Sequence, residues 1–419
     1  MSEVTIETGG ETEPVLFNPF EPGFFDAPYE QYRRLRTHDP VHHSPIDTWM
    51  LFAYEDCFKL LRDPGTSVDP MVGAAFNPDV PNRFAAFRDT HPEIPEPSPP
   101  RGILNIDPPD HTRIRRLMSK VFTPRRVEEL RPEVQRLVDG MLDAVAPNGQ
   151  MDVIADLAFP LPFVVISEML GMPAADRDLL RDWSHTVVKL LDPIISDDEM
   201  AEAITADAHM VEHCREAIAW KRANPADDLL TALIQAEDEG HTLSADELLD
   251  QLVLLFIAGH ETTVNLIGNA TLALLRNPDQ AEVLRADPSL DANAVDELLR
   301  YDSPVQFSRR IVLQPYEVGG VVIEPGTFLM TCLGSANHDP AVFGHDADAL
   351  DLRRTNPGRH LSFGSGVHHC LGASLARLEA QVALGTLVRR FDALELVDET
   401  PAWNNRIVLR GLDTLPVTF

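Results

Sequence analysis

Residues 244–278 read SADELLDQLVLLFIAGHETTVNLIGNATLALLRNP, and no other stretch constrains the fold as strongly. Ser244 and Glu247 stand in capping-box spacing at its front, and Pro278 closes it. The pattern between them predicts a helix of about 32 residues, roughly 48 Å at ~1.5 Å per residue, enough to cross a whole domain. Its middle is apolar on nearly every side, so protein must surround it. Helical periodicity dominates from about residue 110 to 300. TWMLFAYEDCFKLLRDP reads as a short strand pair running into a helix, and strand-like pieces return at RRIVL, YEVGGVVI and TFLMTCL. The chain closes with RIVLRGLDTLPVTF. The expected fold is mainly α with a minor β part. PEIPEPSPPR (92–101) carries five prolines, which excludes a helix or central strand and reads as an extended surface linker. Residues 1–16 read as disordered.

Polar residues interrupt the long helix where it should be most buried: Gly259, Glu261, Thr262 and Thr263. A buried carboxylate is costly unless paired or protonated. Ala258 and Gly259 leave space beside the helix, and the Thr262 hydroxyl can bond back to the Ala258 carbonyl. An acid beside an alcohol suits a proton relay; a kink with a structural partner for Glu261 is the plainer reading. In ELLR, Glu297 and Arg300 share a helix face, a pair that by itself reads as a solvated ion pair. In DPPDHTRIRRL, His111 and Arg115 at i,i+4 can clamp one anionic group, or simply form a solvated basic face.

FGSGVHHCLG places Cys370 in a glycine-rich loop just before a helical pattern. Amide N–H groups and the helix dipole favour a thiolate there. A reactive nucleophile, a zinc ligand, a haem ligand and a packed thiol are all open on this stretch. Zinc fits less well, because His368, His369 and Cys370 are adjacent and no second cluster has zinc spacing. The four cysteines of the 419 residues are far apart, which points to a reducing cytoplasm and not to a disulfide framework. With 66 acidic against 35 basic residues and a formal charge of −31, generic binding to nucleic acid or anionic membrane is disfavoured. The N-terminus lacks a signal-peptide pattern, and no apolar run approaches the ~20 residues of a membrane span.

Together these stretches resemble the cytochrome P450 family, in its soluble bacterial form. FGSGVHHCLG fits that family's haem loop through Phe363, Gly366, His368, Cys370 and Gly372; AGHETT fits its oxygen-activation motif, and ELLR its Glu-x-x-Arg motif, all in the family's order. The resemblance covers residues 17–419 and implies one domain, with haem b between the long helix and the helix after the Cys loop. It implies that Cys370 ligates iron, that thiolate donation favours O–O cleavage, and that His111, Arg115, Arg310 and His368 hold the propionates. Arg309 is the adjacent competitor of Arg310. Phe363 is expected beside the thiolate and Ala258 against the haem, with Glu261 and Thr262 guiding protons during oxygen activation. Where the family has an arginine in its Glu–Arg–Arg network, this chain has Ala349; Arg353 and Arg354 are the available substitutes.

The activity implied is a monooxygenase that hydroxylates or epoxidises a hydrophobic terpenoid, steroid, polyketide or fatty acid. A hydrogen peroxide-using peroxygenase and a haem-binding sensor are the alternatives. Phe87, Leu254, Ile257, Ala258, Val305, Val408 and Leu409 are the expected substrate contacts, under a lid formed by residues 68–101 and 184–200. The resemblance recasts the proline-rich stretch as part of that roof. Electrons would come from a ferredoxin and its reductase, docking at Arg113, Arg116 and Lys120. The enzyme is expected to be a cytoplasmic monomer.

Overall fold

The computed structural model describes residues 15–45, 47–76, 83–95, 102–173, 177–236 and 240–419. The central helix runs Ala245–Arg276, 32 residues long, with the reciprocal Ser244–Glu247 cap formed. The helices packed on it include Pro160–Leu170, Arg177–Val187, Asp197–Ala223 and Ala373–Arg390, the last directly after the Cys loop. One continuous apolar core runs through them. Each large aliphatic or aromatic side chain buried there contributes roughly 1.5–3 kcal/mol. Phe256, for instance, stacks on Phe163 with centroids 5.8 Å apart. Gly268 lets the central helix press on the 154–158 turn, since a Cβ there would lie 2.6 Å from Ile154 Cδ1. Among the described residues, no helix is long and apolar enough to cross a membrane.

The β part is small, as expected. Its main sheet has the order Val41–His43, Trp49–Leu51, Phe328–Cys332, Phe307–Val312, Thr66–Ser67. Only the second and third of these run parallel. Two adjacent arginines on the Phe307–Val312 strand differ: Arg310 is buried, while Arg309 is exposed. A bridge between Val305 and Leu409 brings the C-terminal loop against this sheet.

Residues 1–14 and 96–101 lie outside the described residues, so the expected disorder and most of the proline-rich stretch are not described. Val15 already packs on the cluster around Phe24 and Tyr32, so ordered chain begins before residue 17. After the proline-rich stretch the chain meets the central helix. The Ile103 amide donates to Gln251 Oε1 at 2.9 Å, and a Cβ on Gly102 would lie 2.7 Å from Leu254 Cδ2.

The ELLR pair is not the solvated ion pair its local sequence suggests. Glu297 and Arg300 are fully buried, joined Nε to Oε2 and Nη2 to Oε1 at 2.7 Å each. Arg354 adds a bond from Nε to Glu297 Oε1 at 3.1 Å, and the exposed Arg353 side chain adds none. Both arginines donate to the Ala349 carbonyl, at 2.8 and 3.2 Å. The network is therefore complete, with Arg354 as its second arginine and Ala349 serving through its backbone.

Candidate active site

The Cys loop is shaped by its glycines. Gly366 has φ +73°, and a Cβ there would lie 2.7 Å from the Leu61 carbonyl oxygen, so only glycine fits. The Cys370 amide donates to the Phe363 carbonyl at 2.9 Å, and the Ala373–Arg390 helix follows. Cys57, Cys214 and Cys332 are buried, and burial pushes their thiols up; Cys370 is exposed. Protein nevertheless surrounds the Cys370 sulfur densely enough that burial raises its pKa. The backbone N–H groups of Gly372 and Ala373, with Arg115 and Arg377, pull the other way. Its sulfur therefore opens on a cleft, not on the outer surface. Phe363 lies at the loop's flank, with the Arg377 guanidinium 4.5 Å from its ring centroid. His369 contributes its carbonyl, which accepts from Arg115 Nη2 at 2.6 Å.

The structure brings His111, Arg115, Arg310 and His368 together. The His111 and His368 rings lie 4.2 Å apart. His111 is buried with neither ring nitrogen partnered. Burial, then the neighbouring His111, Arg310 and Arg115, push His368 down to about 3. Burial lowers Arg310 to about 10, partly offset by Asp107. Two arginines beside two imidazoles kept neutral, with both buried His111 nitrogens unpartnered, make a cradle for an anion.

On the central helix, Thr262 Oγ1 donates to the Ala258 carbonyl at 2.8 Å, as the sequence predicts. Glu261 is buried and has two partners that sequence reading missed. His185 Nδ1 lies 2.9 Å from Oε2, and Arg406 Nη1 donates to Oε1 at 3.2 Å. Burial acts to raise the Glu261 pKa, but His185 and Arg406 outweigh it and the carboxyl is held below its usual range. Nothing local signals these partners, which lie 76 and 145 residues away in sequence.

Ala258 is exposed in the middle of an otherwise buried helix, and a Cβ on Gly259 would meet no atom within 4 Å. On Gly372 a Cβ would meet only the Cys370 sulfur, at 4.0 Å. Packing within the chain does not require these two glycines, whereas a flat ligand lying against them would. Leu254, Ile257, Val305 and Val408 are half-buried and Leu409 is buried. Phe87 is buried among Met200 and Ile204, where it joins the two expected lid segments to each other.

The basic helix, Asp110–Val121, presents two faces. Arg113 turns to the central helix and pairs with Glu247. Arg116 and Lys120 are exposed beside Gly366 and Val367, around a depression of about 500 Å³.

A helical fold with one open cysteine thiol on a cleft, and two arginines and two imidazoles gathered beside it, has the parts a haem-thiolate protein requires. The sequence model of the cytochrome P450 family matches residues 82–411, and the chain belongs to that family. It is 41% identical to Cytochrome P450 107B1 of Saccharopolyspora erythraea, over 98% of this chain and 99% of that one. It is 39% identical to the vitamin D(3) 25-hydroxylase of Pseudonocardia autotrophica, over 99% of each. Among solved structures, P450BioI in complex with a hexadec-9Z-enoic acid-ligated acyl carrier protein superposes with TM-score 0.85 and 35% identity, over 94% of this chain and 98% of that one. The protein is a bacterial-type cytochrome P450 monooxygenase, and its family binds haem.

Proposed function

We propose that Cys370 is the thiolate that would hold haem b and that residues 17–419 act as one catalytic unit on a large apolar substrate. The observation that carries this reading is the pairing of the one open thiol with the His111–Arg115–Arg310–His368 cradle. An unpartnered His111 N–H suits a propionate oxygen, Arg310 adds charge and donors, and His368 adds one further N–H. Phe363 shields the thiolate side. Haem, when bound, supplies the reduction and cleavage of dioxygen, so that one oxygen atom enters the substrate and the other leaves as water. Within that chemistry Glu261 delivers protons, and the Thr262 hydroxyl, steadied by the Ala258 carbonyl, orients them. Ala258 borders the haem.

Leu254, Ile257, Ala258, Val305, Val408 and Leu409 form apolar walls, and Phe87 steadies the lid that covers them. Such walls select for apolar bulk. A vitamin D(3) hydroxylase and a fatty-acyl-bound neighbour at this similarity support a steroid, polyketide, terpenoid or fatty acid substrate. Electrons arrive in the cytoplasm from a ferredoxin at Arg116 and Lys120.

The test is the spectrum of the reduced, carbon monoxide-bound protein. A red-shifted Soret band that Cys370→Ser abolishes is expected. Protein that stays colourless after haem reconstitution would sink the reading. Spin-state shifts of the ferric protein across a panel of steroids, macrolides and fatty acids then sort the substrate class.

A further inference from the structure

Glu261 cannot exchange protons with water by itself, because its side chain is only 4% exposed. Its two partners differ in the one property that matters here. Arg406 holds its protons permanently. His185 carries one exchangeable nitrogen toward Glu261 and leaves its ring 40% exposed. His185 belongs to the Arg177–Val187 helix, in the expected lid. Its position is fixed from both sides: Ser184 Oγ donates to the Phe256 carbonyl at 2.9 Å, and Phe159 meets the His185 ring edge-on at 5.5 Å. Below it, the Ile407 amide donates to Asp192 Oδ1 at 3.0 Å and ties the Arg406 loop to the same segment.

We propose that His185 is the relay through which protons from solvent reach Glu261, an inference that rests on Glu261 serving as the proton donor of the site. Water protonates one ring nitrogen while the Nδ1 proton passes to Glu261 Oε2. The carboxyl hands that proton to the cleft and returns to a carboxylate, and no electron moves in the step. Arg406 restores the carboxylate by favouring its charge. The other titratable neighbour, His260, is on the central helix beside Glu261; it bonds the Phe159 carbonyl at 2.9 Å and burial lowers it to about 4, so it stays neutral. On the lid helix Arg181 is paired with Asp178 and Asp182, which leaves no other cation on that helix bonded to Glu261.

The test uses holoenzyme with a surrogate ferredoxin and reductase, and compares His185→Gln, Glu261→Gln and the double variant. NADPH-driven oxygen turnover is read in H2O and D2O. Glutamine keeps a hydrogen bond and cannot relay a proton. His185→Gln is expected to slow turnover about 10-fold and to raise the solvent isotope effect. The double variant should be no slower than Glu261→Gln, because both sit on one path. A second readout needs no turnover: the infrared carboxyl band that Glu261→Gln removes should shift in His185→Gln. Wild-type turnover and isotope effect in His185→Gln, with Glu261→Gln slow, would overturn the relay and leave the role of Glu261 standing. Wild-type behaviour in both overturns that role as well. If His185→Gln fails to fold, His185→Asn carries the same comparison. An additive double variant, or an unmoved band, also counts against the relay.

Discussion

Glu261 and Glu297 are both buried carboxylates on helices, each held between two basic side chains. They differ in what those partners can release. Glu297 faces Arg300 and Arg354, with the Asp351 amide as a third donor at 3.0 Å. The arginines are anchored by the carbonyls of Asn337, Ala347, Ala349 and Phe343. Every proton there has a fixed owner, because a guanidinium does not deprotonate in a protein. Glu261 faces one arginine and one half-exposed imidazole. An imidazole can pass a proton on, which is the ground for the chemical role we propose for this carboxylate. On that proposal, the two buried carboxylates are separated by their partners' acidity, not by their burial.

The sharpest way to break this contrast is to remove a cation from the structural cluster. Arg300→Ala leaves Glu297 buried beside one arginine and should cost about 3–5 kcal/mol. Lower melting temperature and poor haem incorporation are expected, and Arg353→Ala should do neither. A third carboxylate supplies the case with no cation at all. Glu379 is buried in the helix after the Cys loop, its Oε2 has no partner, and burial pushes it up to about 8. The folded chain keeps this proton while the unfolded chain loses it above its ordinary carboxylate range. Stability from this group is therefore full at low pH and is lost as pH rises toward 8. The loss is on the order of a few kcal/mol. Melting temperatures from pH 5 to 8.5 should fall in the wild type and fall less in Glu379→Gln; parallel curves would reject the assignment.

On the functional side, Glu261→Gln should fold and load haem normally while turnover falls about 10²-fold. A melting temperature reduced as far as that of Arg300→Ala would erase the distinction between the two clusters. Solvent-exposed charge gives the smallest effect. Arg116→Glu should slow ferredoxin electron transfer only a few-fold and alter its salt dependence, as screened surface charges do. An unchanged rate with unchanged salt dependence would remove this face from the docking site.

Contiguous features were legible in the sequence. The central helix has its 32 residues and its Ser244 cap where the pattern puts them, and Thr262 bonds Ala258 as spacing predicts. Arg310, not Arg309, is the buried one of the pair, the residue the family resemblance picked out. Pairings across the chain were not legible. The ELLR motif looks solvated until Arg354 and surrounding backbone carbonyls enclose it, and Arg113 looks free until Glu247, 134 residues away, meets it. Helix length, caps, strand period and the Cys370 loop depend on neighbours within a few residues, so the amino-acid order alone determined them, and with them the haem-thiolate class. Which arginine completes Glu297, which imidazole meets Glu261 and which basic side chains face solvent depend on how helices pack. Only the tertiary structure decided those, because side chains far apart in sequence acquire a common environment only when the core between them has closed.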